Sequence, residues 1–268
     1  MTATSDGPLR DGIVATADGW SVRYDTFLVS AGHASVEGDS CKGYSDPAYN
    51  RVLNMLIAGP QMLGIVYALG HCDFDFELSS PYEDSLLGEG VSEQDKTFMR
   101  TPATDPYASG AGVSIHVVGK ATKGGAEKRF DWSYRFRINF ASCEYPTEGG
   151  VMKGFDLAQG GSARADVQVR GGTLWQDHLD EAKAALRFQA YADADAIHGN
   201  NDGEVSLAEI EGVPLSDVAT SDRYADGLEA GFHTLGQYLY NGLFPQVLRY
   251  HGDGSCEMDL MPNDRATK

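Results

Sequence analysis

The run 193–209 is the part of the chain best equipped for chemistry. It reads Asp-Ala-Asp-Ala-Ile-His-Gly-Asn-Asn-Asp-Gly-Glu-Val-Ser-Leu-Ala-Glu. Five carboxylates (Asp193, Asp195, Asp202, Glu204 and Glu209) stand close together here. Like charges at short range disfavour one another and raise carboxyl pKa values unless a cation enters. With Asn201 and Ser206 they make an all-oxygen donor set, which suits a hard cation and above all calcium. The competing reading is a solvated turn rich in Asp, Asn and Gly.

The second half of this run resembles the calcium loop of the EF-hand family. Asp202, Gly203 and Glu209 take the places of an oxygen ligand, the glycine of the sharp turn and the closing bidentate Glu. Val205 takes the central aliphatic place, Ser206 a water-mediated one, and Glu204 would offer its backbone carbonyl. Strict twelve-residue spacing would put His198 at the opening position, where the family has Asp. A lengthened loop instead lets Asp193 or Asp195 open it, bulges out 197–199 and draws an amide oxygen from Asn200 or Asn201. The resemblance implies a lone, structure-stabilising calcium loop set between two helices.

Other constellations carry weaker chemistry. Seven histidines are scattered without a His-x-His or His-Glu-x-x-His spacing, so no zinc hydrolase signature is present. His71, His116 and His178 are the candidates for a second, softer metal site; copper prefers nitrogen and sulfur ligands of this kind. The bland alternative is that each is satisfied separately. No Gly-x-Ser-x-Gly, dinucleotide fingerprint or phosphate loop is present, and the stretch Gly43-Tyr-Ser-Asp46 does not qualify as a nucleophile elbow. Asp73 and Asp75 alternate with apolar residues and read as the solvent face of a strand. The expectation is therefore a binding or structural protein and no enzyme, with a hydrolase site in the long polar connection 79–112 as the rival.

These groups must be positioned by a chain of 268 residues, enough for one large β unit or two average domains. Its net charge of −18 repels phosphate backbones and anionic lipid heads, which argues against nucleic-acid and membrane-surface partners. No apolar run approaches the roughly 18 residues of a membrane span. The polar start reads like a mature terminus. Four cysteines, Cys41, Cys72, Cys143 and Cys256, stand far apart with no Cys-x-x-Cys. An even set of isolated cysteines suits two disulfides in an oxidising compartment. Cys72 and Cys143 each end a strand-like run, so the favoured pairing is Cys72–Cys143 with Cys41–Cys256. The compartment expected is extracytoplasmic: periplasmic, cell-surface or secreted, with a lipoprotein precursor as one form of this. The protein or small-molecule partner is left open.

Period-two alternation marks strands at 20–29, 73–78, 113–118 and, most clearly, 130–140, where Phe130, Trp132, Tyr134, Phe136, Ile138 and Phe140 alternate with polar residues, and 61–69 reads as another strand. Further strands fit 153–157 and 163–169. After Gly171-Gly172 the spacing turns helical, giving expected helices over 179–191 and 221–243 around the acidic run. Residues 1–18 read as a flexible arm, 19–172 as an antiparallel β-sandwich, 173–258 as a helical region carrying the EF-hand-like loop, and 259–268 as a polar tail. The segregation of strands from helices supports this mainly β architecture.

A second resemblance rests on Asp18-Gly-Trp-Ser-Val-Arg-Tyr-Asp-Thr-Phe-Leu-Val29, the Phe-rich central strand and Gly172-Thr-Leu-Trp-Gln-Asp-His178 ahead of an acidic loop. This layout looks similar to the MbnP-like group of secreted bacterial β-sandwich proteins of copper handling. The resemblance implies an extracytoplasmic copper-binding carrier. His178 is kept at the place before the loop, while Arg170 stands where another histidine would be expected.

Overall fold

Strands occupy 42% of the chain and helices 22%, so the protein is mainly β with a helical C-terminal region. The computed structural model describes residues 1–44, 49–103, 107 and 111–261. Ser45 and Asp46 of the Gly-Tyr-Ser-Asp stretch, parts of the 79–112 connection and residues 262–268 of the tail lie outside the described residues.

The longest element is the strand Ser21–Glu37. Its first part alternates as the sequence predicts, with Val22 and Tyr24 buried and Arg23 and Asp25 exposed, and from Phe27 to Ala31 every residue is buried. That change from alternation to a continuous apolar run is the mark of a strand covered on both faces. The first half pairs antiparallel with Ile115–Lys123, the second half with Ala68–Leu78, and the middle with Asn50–Asn54. The register shifts between Gly32 and Ser35, where His33 has a φ of 47°. Gly32 is required there, because a Cβ would stand 2.4 Å from the Asn50 Cα.

Ile115–Lys123 turns back through Gly124 and Gly125, at φ 57° and 89°, into Ala126–Tyr134. Two consecutive positive φ angles give the hairpin turn whose twist matches the flanking strands. On the other side, Ala68–Leu78 pairs with Arg137–Thr147, which pairs with Ser255–Met261. The alternating run 130–140 therefore serves two strands instead of one. It breaks at Arg135, whose buried guanidinium donates to the Ala111 carbonyl at 2.7 Å and whose amide donates to the Tyr240 hydroxyl at 2.9 Å. Likewise 61–69 is strand only at Gln61–Met62 and at Ala68 and Leu69, where Ala68–Leu78 begins.

Residues 1–18, expected as an arm, are folded into the molecule. Thr2–Ser5 pairs with Asp166–Val169 and with Gln61–Met62, in a second sheet completed by Leu248–Tyr250. Gly7–Asp11 is a short helix capped by the Asp6 carboxylate on the Leu9 amide, with Leu9 fully buried. The end 255–261, partly assigned to the tail, is a sheet strand.

The helices depart most from expectation. Residues 179–188 form turns, and helix begins only at Gln189–Asp193. The cause is the buried Asp177. Its carboxylate accepts the Ala185 amide at 2.7 Å and pairs with Arg187, while its amide donates to the Ala185 carbonyl at 3.0 Å. A side chain that satisfies the backbone in this way competes with helix. The 221–243 helix is likewise split into Ala225–Glu229, Leu235–Gln237 and Tyr238–Leu243. Gly231, at φ 86°, turns the chain and Thr234 recaps it.

The disulfides are Cys41–Cys72 and Cys143–Cys256, which corrects the favoured pairing. The strand Phe155–Leu157 comes between the two cysteines expected to join. Phe155 opposes Cys72, and the neighbouring Gly154 amide donates to the Cys143 carbonyl at 3.1 Å. Cys256 meets Cys143 because Arg137–Thr147 and Ser255–Met261 are adjacent strands. Non-reducing peptide mapping should recover these two linkages and no free thiol. Replacing both cysteines of either bridge by serine should cost roughly 2–4 kcal/mol in denaturant unfolding; a Cys72–Cys143 peptide would contradict this topology.

Candidate functional site

The 193–209 run folds as a closed loop clipped onto the sheet. The helix Gln189–Asp193 continues into Ala194–His198, and the loop then returns to pair Glu204 and Val205 with Arg129 and Phe130 in parallel register. The Arg129 amide donates to the Gly203 carbonyl at 2.8 Å, and the Trp132 indole N–H donates to the Val205 carbonyl at 2.7 Å. Val205 is fully buried. Gly203, at φ 86°, makes the sharp turn that its sequence position implies.

Of the two Asp residues proposed to open the loop, Asp195 points into it and is completely buried. Its two carboxylate oxygens accept the Asp202 and Gly203 amides, each at 3.1 Å. The Lys128 ammonium meets the same carboxylate and lies 3.3 Å from the Asn201 side-chain oxygen. Asp193 instead accepts from the Gln189 side chain at 2.9 Å, outside this arrangement. Asp202 accepts the Glu204 amide and the Asn200 side-chain amide, which together hold its carboxyl below the usual range. Ser206 and Glu209 form a capping box at the start of the helix Leu207–Glu211, and Glu209 also accepts the Asn200 amide at 3.1 Å. Glu204 is exposed. Each inward carboxylate thus has a hydrogen-bond partner within the fold. Among the described residues, no group of three or more His, Cys, Asp or Glu side chains is placed to hold a metal ion.

The three histidines sit on separate elements. His71 lies near the start of Ala68–Leu78, with its Nδ1 2.9 Å from Asp156. His116, in Ile115–Lys123, packs on Phe98 with ring centroids 4.6 Å apart and faces Asp131 at 3.6 Å. His178 donates to the Asp222 carbonyl at 2.7 Å and lies 3.5 Å from Asp226. In the 79–112 connection, Ser79 and Ser85 are buried around Asn50, and Ser92 caps the helix Glu93–Arg100.

Two features were missed by sequence reasoning. One is Lys128, which is distant in sequence from the loop. Alternation does carry a signal for it, since Lys128 shares a strand face with the buried Phe130, Trp132 and Tyr134. The other is a groove of about 400 Å³ beside the Cys41–Cys72 bridge. Ile65, Leu69, Phe74, Phe155 and Leu157 line it, and Tyr44 and Tyr67 stand at its rim, 57% and 64% exposed. Among the described residues, no Asp, Glu, Lys, Arg or His side chain lines it. Reading 61–69 as one strand hid the groove, because 63–67 leaves the strand ladder and Ile65, Val66 and Tyr67 form part of its wall. No family model matches the chain, and no curated protein or solved structure matches it.

Burial holds the His116 imidazole below its ordinary value, with Asp131 the main opposing influence, and burial does the same to His251. As pH falls past the ordinary imidazole value of about 6.5, the unfolded chain takes up these protons first and the folded state loses stability. The half-buried carboxyls Asp6 and Asp75 are shifted upward by desolvation and act in the opposite sense at lower pH. The melting temperature should therefore fall between about pH 7.5 and pH 6. His116→Gln should flatten that slope, and an unchanged slope would show that the buried imidazole does not contribute.

Proposed function

We propose that this chain is an extracytoplasmic binding protein, of β-sandwich type, that takes a small uncharged apolar ligand in the groove beside the Cys41–Cys72 bridge. The groove is the observation that carries the reading. Small-molecule sites are concave, mostly apolar and largely preformed, with volumes of roughly 300–1,000 Å³. The volume here falls in that range, and the lining is aliphatic and aromatic. Two constraints make its walls rigid. Gly43 and Lys42 pair with Ala68 and Leu69, and Cys72 is tied to Cys41 and faced by Phe155. A preformed wall spares a ligand the cost of ordering it.

The chemistry of the occupant follows from what surrounds it. A chain of net charge −18 disfavours anions, and among the described residues the lining is almost wholly aliphatic and aromatic. Exposed Tyr rings at a rim offer flat apolar faces with a polar tip. The compartment is supported by two disulfides, which persist in oxidising surroundings. Among the described residues no helix is long and apolar enough to cross a membrane.

Titration with Nile red, a neutral solvatochromic dye, should show one saturable site. Leu157→Glu should weaken that site at least about tenfold, since an unpaired carboxylate would then line an apolar wall. Non-saturable binding, or binding indifferent to Leu157→Glu, would remove the groove as the ligand site.

A further inference from the structure

We infer that the Lys128 ammonium is the resident cation of the 193–209 loop, so that the loop keeps its calcium-loop-like shape without a metal ion. The argument begins with Asp195. A carboxylate with no exposed surface is tolerated in a protein interior only when it is paired and hydrogen-bonded. Asp195 meets both conditions, through the Asp202 and Gly203 amides and through Lys128. The lysine side chain is itself only 12% exposed. It occupies an inward position on a strand face otherwise filled by Phe130, Trp132 and Tyr134. Placing an ammonium there carries a desolvation cost that only a close anionic partner offsets.

The placement of the charge is specific. Lys128 bridges Asp195 and Asn201, the first oxygen donor and an amide donor of the lengthened loop. The loop returns to the same strand one residue further on, where Glu204 opposes Arg129. Lys128 is thus fixed against the loop by the backbone pairing that closes it. The other donors are already hydrogen-bonded within the loop. Glu209 serves its capping box and the Asn200 amide, and Asp202 serves Glu204 and Asn200. A calcium ion would need to displace the ammonium and draw several of these oxygens to about 2.3–2.6 Å. The donor set as folded does not fit that demand, whereas one ammonium with three donors fits the site it occupies.

The test compares metal-stripped wild-type protein in excess chelator and in millimolar calcium. Its melting temperature should be the same in both, and calorimetric titration with calcium should show no saturable heat. Lys128→Met should lower the melting temperature by roughly 5–10 °C, because it leaves the buried Asp195 unpaired. Hydrogen exchange in that variant should quicken at the Asp202 and Gly203 amides and leave Ile115–Lys123 unchanged, with Lys128→Arg keeping most of the protection. Calcium stabilising Lys128→Met but not the wild type would support the inference further. A wild-type melting temperature that rises with calcium would overturn it, and so would unchanged exchange at Asp202 and Gly203 in Lys128→Met. The wild-type comparison stands even if the variant fails to fold. Neither outcome touches the groove, so this inference and the ligand site fail separately.

Discussion

A strand as long as Ser21–Glu37 presents more backbone donors and acceptors than any single neighbour can satisfy, and a buried backbone group left unpaired costs about as much as a lost hydrogen bond. The fold answers by sharing the strand between partners. Ile115–Lys123 takes the first half, Ala68–Leu78 the second and Asn50–Asn54 the middle. Both functional candidates inherit their positions from this division. Ile115–Lys123 carries Ala126–Tyr134, which holds Lys128 and receives the acidic loop. Ala68–Leu78 carries Phe155–Leu157, which lines the groove, and holds the Cys41 bridge beside it.

The C-terminal region is joined to the sheet mainly by aromatic packing. Trp132 and Trp175 stand 5.3 Å apart, and Trp175 and Phe188 5.1 Å apart. The Tyr24 hydroxyl accepts from the Trp175 indole at 2.7 Å and donates to the Gly171 carbonyl at 2.5 Å. Such rings bury large areas, and the polar atoms of Trp132, Trp175 and Tyr24 are satisfied within this packing. This explains how short helical pieces persist where no long helix forms. Their stability comes from the surface on which they lie, not from their own length.

What the sequence shows plainly is periodicity, and what it conceals is partnership at a distance. Val22, Tyr24, Phe74 and Phe76 advertise their strands because alternation is a local pattern with one cause. The helices expected over 179–191 and 221–243 fail for non-local or side-chain reasons. Asp177 ties its own chain into a bridge, and Gly231 with Thr234 restarts the second segment. The acidic loop is legible as a loop, down to the turn at Gly203, since that role depends on near neighbours. Lys128 is not, because nothing within its own stretch says which loop will cover it. The cysteine pairing turned on the arrival of Phe155–Leu157 between two neighbours, a matter of sheet topology that spacing does not encode.

The disulfide pattern bears on the order in which this chain can be oxidised as it is made. Cys41 and Cys72 are separated by 31 residues, and Cys143 and Cys256 by 113. Closing the shorter loop costs less chain entropy, and both of its thiols emerge before Cys143 exists. Once that bridge has formed, neither Cys41 nor Cys72 is left for Cys143 to capture. Within this sequence its remaining partner is then Cys256, so oxidation in chain order would favour the native pair.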